Sequence, residues 1–152
     1  MNQRTSSASS QFRIRPACPV DYSAIVDLWR WCGLSISLTG RERESAFVDQ
    51  LRQFPDSFLV ATVDERVVGV VLGTHDTRKG WISRLGVHPD HQRKGLATAL
   101  ILECEKAIRA HGIEVVAALV ETWNTASAAV FAKAGFSDEY KVMYFRKSSE
   151  SD

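Results

Sequence analysis

The stretch that decides the fold is Arg84-Leu85-Gly86-Val87-His88-Pro89-Asp90-His91-Gln92-Arg93-Lys94-Gly95-Leu96-Ala97-Thr98. Leu85 and Val87 alternate with small or polar neighbours, which predicts a strand, and Pro89 stops it. From Leu96 onward apolar residues recur at Leu100, Cys104, Ala107 and Ile108, the spacing of one helix face. Between strand and helix lies Gln92-x-x-Gly95-x-Ala97. Gly95 and Ala97 keep side chains away from the first N–H groups of the helix, which have no partners inside it. Those donors, the positive helix end and the charges of Arg93 and Lys94 predict an anion site. A phosphate or pyrophosphate is the expected guest.

Two other phosphate loops are excluded. A P-loop needs Gly-Lys-Ser/Thr, whereas the order here is Lys94-Gly95-Leu96. A dinucleotide fingerprint needs G-x-G-x-x-G, and the chain contains none.

Composition sets the outer bounds. The 152 residues suit one domain with a real core, and 45% hydrophobic with 24% charged residues is ordinary for a soluble globular chain. A net charge of +1 argues against a nucleic-acid or membrane surface, so any basic patch is local. No apolar run is long enough to span a bilayer, and residues 1–10 lack the apolar core of a signal peptide. Residues 1–10 and 148–152 are expected to be disordered tails around a domain at 11–147. Cys18, Cys32 and Cys104 are odd in number and widely spaced, which suggests neither a disulfide framework nor a zinc site. A cytoplasmic, reduced protein is expected.

The hydrophobic pattern outlines the remaining elements. Phe12–Arg15 alternates as a first strand ended by Pro16. Asp21 is placed to cap a helix burying Ile25, Leu28, Trp29 and Cys32, with Gly33 as its stop. A second helix is expected from Arg41 to Phe54. Ser57–Val63 and Arg66–Gly73 read as a hairpin turning at Asp64-Glu65, followed by the strand Trp81–Val87. The long helix ends at His111-Gly112, and Ile113–Val120 reads as a buried strand. Asn124 caps another helix that ends at Gly135-Phe136, and Tyr140–Arg146 is expected as a last strand. The order β-α-α-β-β-β-α-β-α-β gives a mixed α/β layer around one sheet.

Asn124-Thr125-Ala126-Ser127-Ala128-Ala129-Val130-Phe131-Ala132-Lys133-Ala134-Gly135-Phe136 resembles the last helix of GNAT-type N-acetyltransferases. Leu85-x-Val87-x-Pro89 followed by Gln92-x-x-Gly95-x-Ala97 resembles the acetyl-CoA loop of the same family. The two motifs stand in the right order, with a helix and a strand between, and the element order is similar from Phe12 to Arg146. The resemblance implies a single mixed, mostly antiparallel sheet with helices on both faces and a splayed central strand pair that holds the cofactor. It implies acetyl-CoA as co-substrate, a primary amine as acceptor, and no metal. Backbone N–H groups of Arg93, Lys94, Gly95, Leu96, Ala97 and Thr98, after Gln92, would hold the pyrophosphate. The strand edge at Leu85, Gly86 and Val87 would pair with the amides of the pantetheine arm. Asn124 would bond the cofactor chain, and an N–H near Val87 would polarise the thioester carbonyl.

Two positions depart from the family's commoner pattern. The residue seven after the Asn is often Tyr, which protonates the leaving thiolate; here it is Phe131, which has no proton to give but can pack against the cofactor. Five residues before the Asn a Glu base is common; here that place holds Leu119. Glu121 lies two residues further on, so if the strand persists it faces the same side and is the best candidate base. Glu42 and Glu44 on a substrate loop stand behind it, and a solvated carboxylate at a strand end is the alternative for Glu121.

Other residues have plainer readings. His88, Asp90 and His91 read as surface residues rather than metal ligands. Trp31 sits opposite the buried stripe of its helix, near the acceptor side, whereas Trp29, Trp81 and Trp123 suit core or edge packing. Cys104 falls on an apolar face and reads as core. With G-x-S-x-G absent, direct attack of the amine is expected rather than a covalent acyl-enzyme. A non-catalytic acyl-CoA binding or sensing module, and the same fold using a longer acyl group, stay open at this level. So do the acceptor, which is a small molecule, amino acid or peptide N-terminus, and a homodimer.

Overall fold

The computed structural model describes residues 11–149, so the tail expected at 1–10 and the last three residues of the chain lie outside it. The elements are β1 (Arg13–Pro16), α1 (Tyr22–Trp31), α2 (Glu44–Gln53), β2 (Phe58–Val63), β3 (Arg66–His75), β4 (Lys79–Val87), α3 (Leu96–Arg109), β5 (Val115–Ala118) and α4 (Thr125–Lys133). They form one five-stranded sheet in the order β1-β2-β3-β4-β5. Its first four strands are antiparallel neighbours and β5 runs parallel to β4. Between β2 and β3, Asp64 and Glu65 both take left-handed φ values of 49° and 65°, the two-residue turn that matches strand twist.

Alternation along the strands sorts the core into two layers. Leu59, Ala61, Val71 and Ile82 face α3, whose Leu96, Leu100, Ile101, Cys104 and Ile108 are buried on them. Phe58, Val60, Val70 and Leu72 face the other way, onto Ile25, Leu28 and Trp29 of α1 and Phe47 and Leu51 of α2. Each of the Val, Leu, Ile and Phe side chains among them contributes about 1.5–3 kcal/mol by leaving water. Helix α3 packs directly onto glycine positions of the sheet. A Cβ on Gly69 would stand 2.7 Å from Leu96, and one on Gly73 2.6 Å from the Cys104 sulfur.

Three expectations need correction. Asp21 stands at the α1 N-cap position, yet its carboxylate makes no cap bond there. It accepts from the Cys18 N–H at 2.9 Å and from both Arg15 Nη atoms at 2.7 and 2.9 Å, because a short 3-10 turn at Pro19–Asp21 comes first. Strand β5 covers four residues, not eight, and is only partly buried. The last strand is missing: residues 137–148 have no regular structure, and Tyr140, Val142, Met143, Tyr144 and Phe145 are exposed. Their alternation encodes strand propensity, but a strand forms only where a sheet edge accepts it, and in this fold the segment lies outside the sheet.

Candidate active site

The two parallel strands part company halfway. β4 pairs with β5 over Lys79–Ile82 against Val115–Ala118, after which β4 runs on from Ser83 to Val87 with no strand on that side among the described residues. This open edge faces the gap expected from the sequence. What the gap can bind depends on which backbone donors point into it.

A bulge decides that. Opposite β3, Ser83 pairs with Leu72 and Gly86 with Val70, so Arg84 and Leu85 together face Val71. Arg84 takes up the extra residue with a left-handed φ of 56°. Gly73 gives its N–H to Ser57, just before β2, at 2.8 Å, and His88 gives its N–H to Val68 of β3 at 2.8 Å. These two bonds fix the phase of the ladder on either side of the bulge. Before it, odd-numbered residues such as Ser83 turn their N–H toward β3; after it, Gly86 and His88 do. The Val87 N–H is thereby turned into the gap. In an unbulged strand it would face β3.

At the gap's end the loop before α3 supplies a second set of donors. Arg93 and Gly95 adopt left-handed φ values of 63° and 80°. The first helical bond runs from the Ala99 N–H to Gly95, at 3.0 Å, and no side chain caps the helix. Among the described residues, the six N–H groups from Arg93 to Thr98 therefore have no hydrogen-bond partner in the protein. The space beside Gly95 is open, and the Arg93 and Lys94 side chains are exposed around it. Gln92 closes the loop by donating its side-chain amide to the Val87 carbonyl at 3.1 Å. A long ligand with amide groups along its arm and a pyrophosphate at one end fits this combination of open strand edge and donor nest.

Asn124 begins α4, where its side-chain oxygen accepts the Ser127 N–H at 3.1 Å, leaving its amide NH2 for a ligand. Phe131, two residues before the end of α4, is 8% exposed and meets Phe136 edge-on at 5.4 Å, within the α3 core layer. Glu121 does not share a strand face with Leu119, because β5 stops at Ala118. Both residues are exposed, and Glu121 belongs to the turn in which its carbonyl accepts the Asn124 N–H at 2.9 Å. Glu44 is exposed in the first turn of α2. Glu42 is buried and engaged: one oxygen takes the Ser37 N–H at 2.7 Å and the other pairs with Arg84. A carboxylate so held is a poor candidate for a base.

Trp31 is exposed at the end of α1 and meets His88 edge-on at 4.7 Å, which puts it beside the end of β4. The neighbouring Cys32 donates its thiol to the Val87 carbonyl at 3.4 Å, and burial pushes that thiol up from its ordinary range. Cys104 is fully buried under α3, and burial pushes its thiol up to about 12, which leaves no thiolate for nucleophilic chemistry. His88 uses Nδ1 to accept the Asp90 N–H at 3.1 Å and close the turn after β4. Arg84 was not singled out by the sequence pattern, although a signal exists. The inward residues Ile82 and Leu85 are an odd number apart, which breaks the strand's period of two.

Comparison with known proteins converges on one group. The Acetyltransferase (GNAT) family matches residues 22–136. An acetyltransferase of Pectobacterium atrosepticum is 35% identical over 74% of this chain and 79% of its own length. Another, from Sodalis glossinidius, is 32% identical over 84% and 88%. Among solved structures, an N-acetyltransferase of Thermoplasma acidophilum in complex with coenzyme A superposes with a TM-score of 0.73, at 19% identity over 84% of this chain and 91% of that one.

Proposed function

Since the chain belongs to the GNAT family and is an acetyltransferase, we propose that it moves the acetyl group of acetyl-CoA onto a primary amine by direct attack. The observation that carries the reading is the run of six unpartnered N–H groups from Arg93 to Thr98 at the mouth of an open strand edge. These would take the pyrophosphate. Leu85, Gly86 and Val87 offer the edge for the pantetheine amides, and Asn124 its side-chain NH2. The Val87 N–H, turned into the gap by the bulge, would polarise the thioester carbonyl and hold the charge that develops on its oxygen.

The proton inventory is sparse. Phe131 has none to give, so the sulfur leaves as thiolate or takes its proton from water. A thiol of pKa about 8.5 tolerates this, at a cost on the order of 10²–10⁴ in rate relative to a site with a placed acid. Glu121 would receive the amine's proton through solvent, consistent with its exposure. Without a fixed base the acceptor must arrive neutral. An α-amine of pKa about 7.7–8.0 is neutral about a tenth of the time or more at pH 7, and a lysine-type amine of pKa about 10.4 in only about one molecule in a few thousand. Small amino acids and peptide N-termini are therefore the proposed acceptors.

The test measures thiol release from acetyl-CoA against matched α- and ε-amines, in wild type and Glu121→Gln. A higher kcat/KM for the α-amine and a reduced rate in Glu121→Gln are expected. A clear win for the ε-amine with no effect of Glu121→Gln would place a strong base elsewhere. Two further features belong to the proposal. The three free cysteines support a reducing, cytoplasmic setting. The exposed apolar run from Tyr140 to Phe145 supports a homodimer, checked by sedimentation. Among the described residues no helix is long and apolar enough to cross a membrane.

A further inference from the structure

The left-handed Arg84 is held from four directions. Its guanidinium pairs with the Glu42 carboxylate and donates to the Ser35 carbonyl at 2.7 Å. The same group lies over the Trp29 ring, 5.3 Å from its centre, and the Trp29 indole N–H donates back to the Arg84 carbonyl at 3.3 Å. Glu42 in turn gathers the loop between α1 and α2, accepting the Ser37 N–H, while its own carbonyl takes the Tyr22 hydroxyl. The Glu42 side chain is 7% exposed and that of Arg84 21%. Strained backbone persists where its surroundings over-determine it, and such positions gather at functional sites.

We propose that Arg84 is a positioning residue with two roles: its side chain, held through Glu42, sets the acceptor loop, and its backbone sets the Val87 donor. The proposal rests on the acetyltransfer reading for its meaning in catalysis. The side chain of Arg84 fixes the loop 34–43, and its backbone conformation creates the bulge that turns the Val87 N–H into the gap. One residue thus joins the wall of the acceptor site to the donor at the thioester.

Two substitutions separate these roles. Gly adopts the left-handed conformation freely, so Arg84→Gly removes the clasp and keeps the bulge. Ala disfavours it about 5- to 30-fold, so Arg84→Ala removes the clasp and weakens the bulge as well. With an α-amine acceptor, Arg84→Gly is expected to raise the acceptor KM about tenfold and leave kcat within about threefold of wild type. Arg84→Ala should show the same KM and a kcat lower by about tenfold, since a misaimed donor is lost only in the transition state. CoA affinity by calorimetry should stay within about twofold in Arg84→Gly, which leaves the 93–98 loop and the bulge in place.

Amide exchange on the free protein reads the same two roles without any turnover. Residues 34–43 should exchange at least about tenfold faster in both variants, and residues 85–88 faster only in Arg84→Ala. If either variant folds poorly, Glu42→Gln keeps the Ser37 bond, loses the charge, and should loosen 34–43 alone. Equal kcat in the two Arg84 variants, or unchanged exchange over 34–43, would overturn the proposal. Absence of turnover in the wild-type protein with any amine would instead overturn the acetyltransfer reading, and the exchange data would still decide the clasp.

Discussion

Asp21 shows what a single buried carboxylate does before any element is counted. Burial alone would push its carboxyl up, but the Arg15 guanidinium and the Cys18 N–H outweigh that and hold it below the ordinary carboxylate range. A lowered folded-state pKa means stability that is present in full above the unfolded value, about 3.9, and is lost as pH falls through the folded value. Asp21→Asn should therefore cost about 1–3 kcal/mol at neutral pH. In thermal unfolding the gap between wild type and Asp21→Asn should be constant above about pH 5 and close at lower pH. A gap that persists undiminished to pH 2 would show that the charge is not what matters. At Glu42 the residue type suggested a base, and the tertiary partner Arg84 made it a tether instead.

At the scale of elements, the decisive one is the start of α3. Its donors are unpartnered because Arg93 and Gly95 turn left-handed and no side chain caps the helix. Gly95 has empty space where a Cβ would go, so its constraint is conformational rather than a matter of packing. Gly95→Val puts a β-branched residue at φ 80°, and CoA binding should weaken by about 1–3 kcal/mol. Calorimetry with CoA checks this, and equal affinities would remove the loop from the site. The loop was legible in the sequence because its glycine and small residues are themselves the signal. Glu121 was not, because whether a strand continues past Ala118 depends on the neighbour it pairs with. β4 stops offering that pairing at Ile82.

For the molecule as a whole, the contact between α3 and the sheet sets the distance between the 93–98 loop and the gap. That contact depends on Gly69 and Gly73. A Cβ at Gly73 would lie 2.6 Å from the Cys104 sulfur, 2.9 Å from Ile108 and 3.0 Å from Ser57, so Gly73→Ala should destabilise the fold by about 1–3 kcal/mol. Chemical denaturation measures it, and an unchanged midpoint would mean that the helix shifts without cost. The sequence by itself determined the Asp64-Glu65 turn, the glycine-bearing turn into α3 and the order of elements up to α4. Those features depend on local periodicity and on residues with special backbone freedom. Only the tertiary structure decided the rest. It placed the bulge at Arg84, tied Glu42 to it, ended β5 before Glu121, buried Phe131 against Phe136 and left residues 137–148 outside the sheet. Each of these depends on which distant segment supplies a partner, and pairing at long range is not written in the period of any one segment.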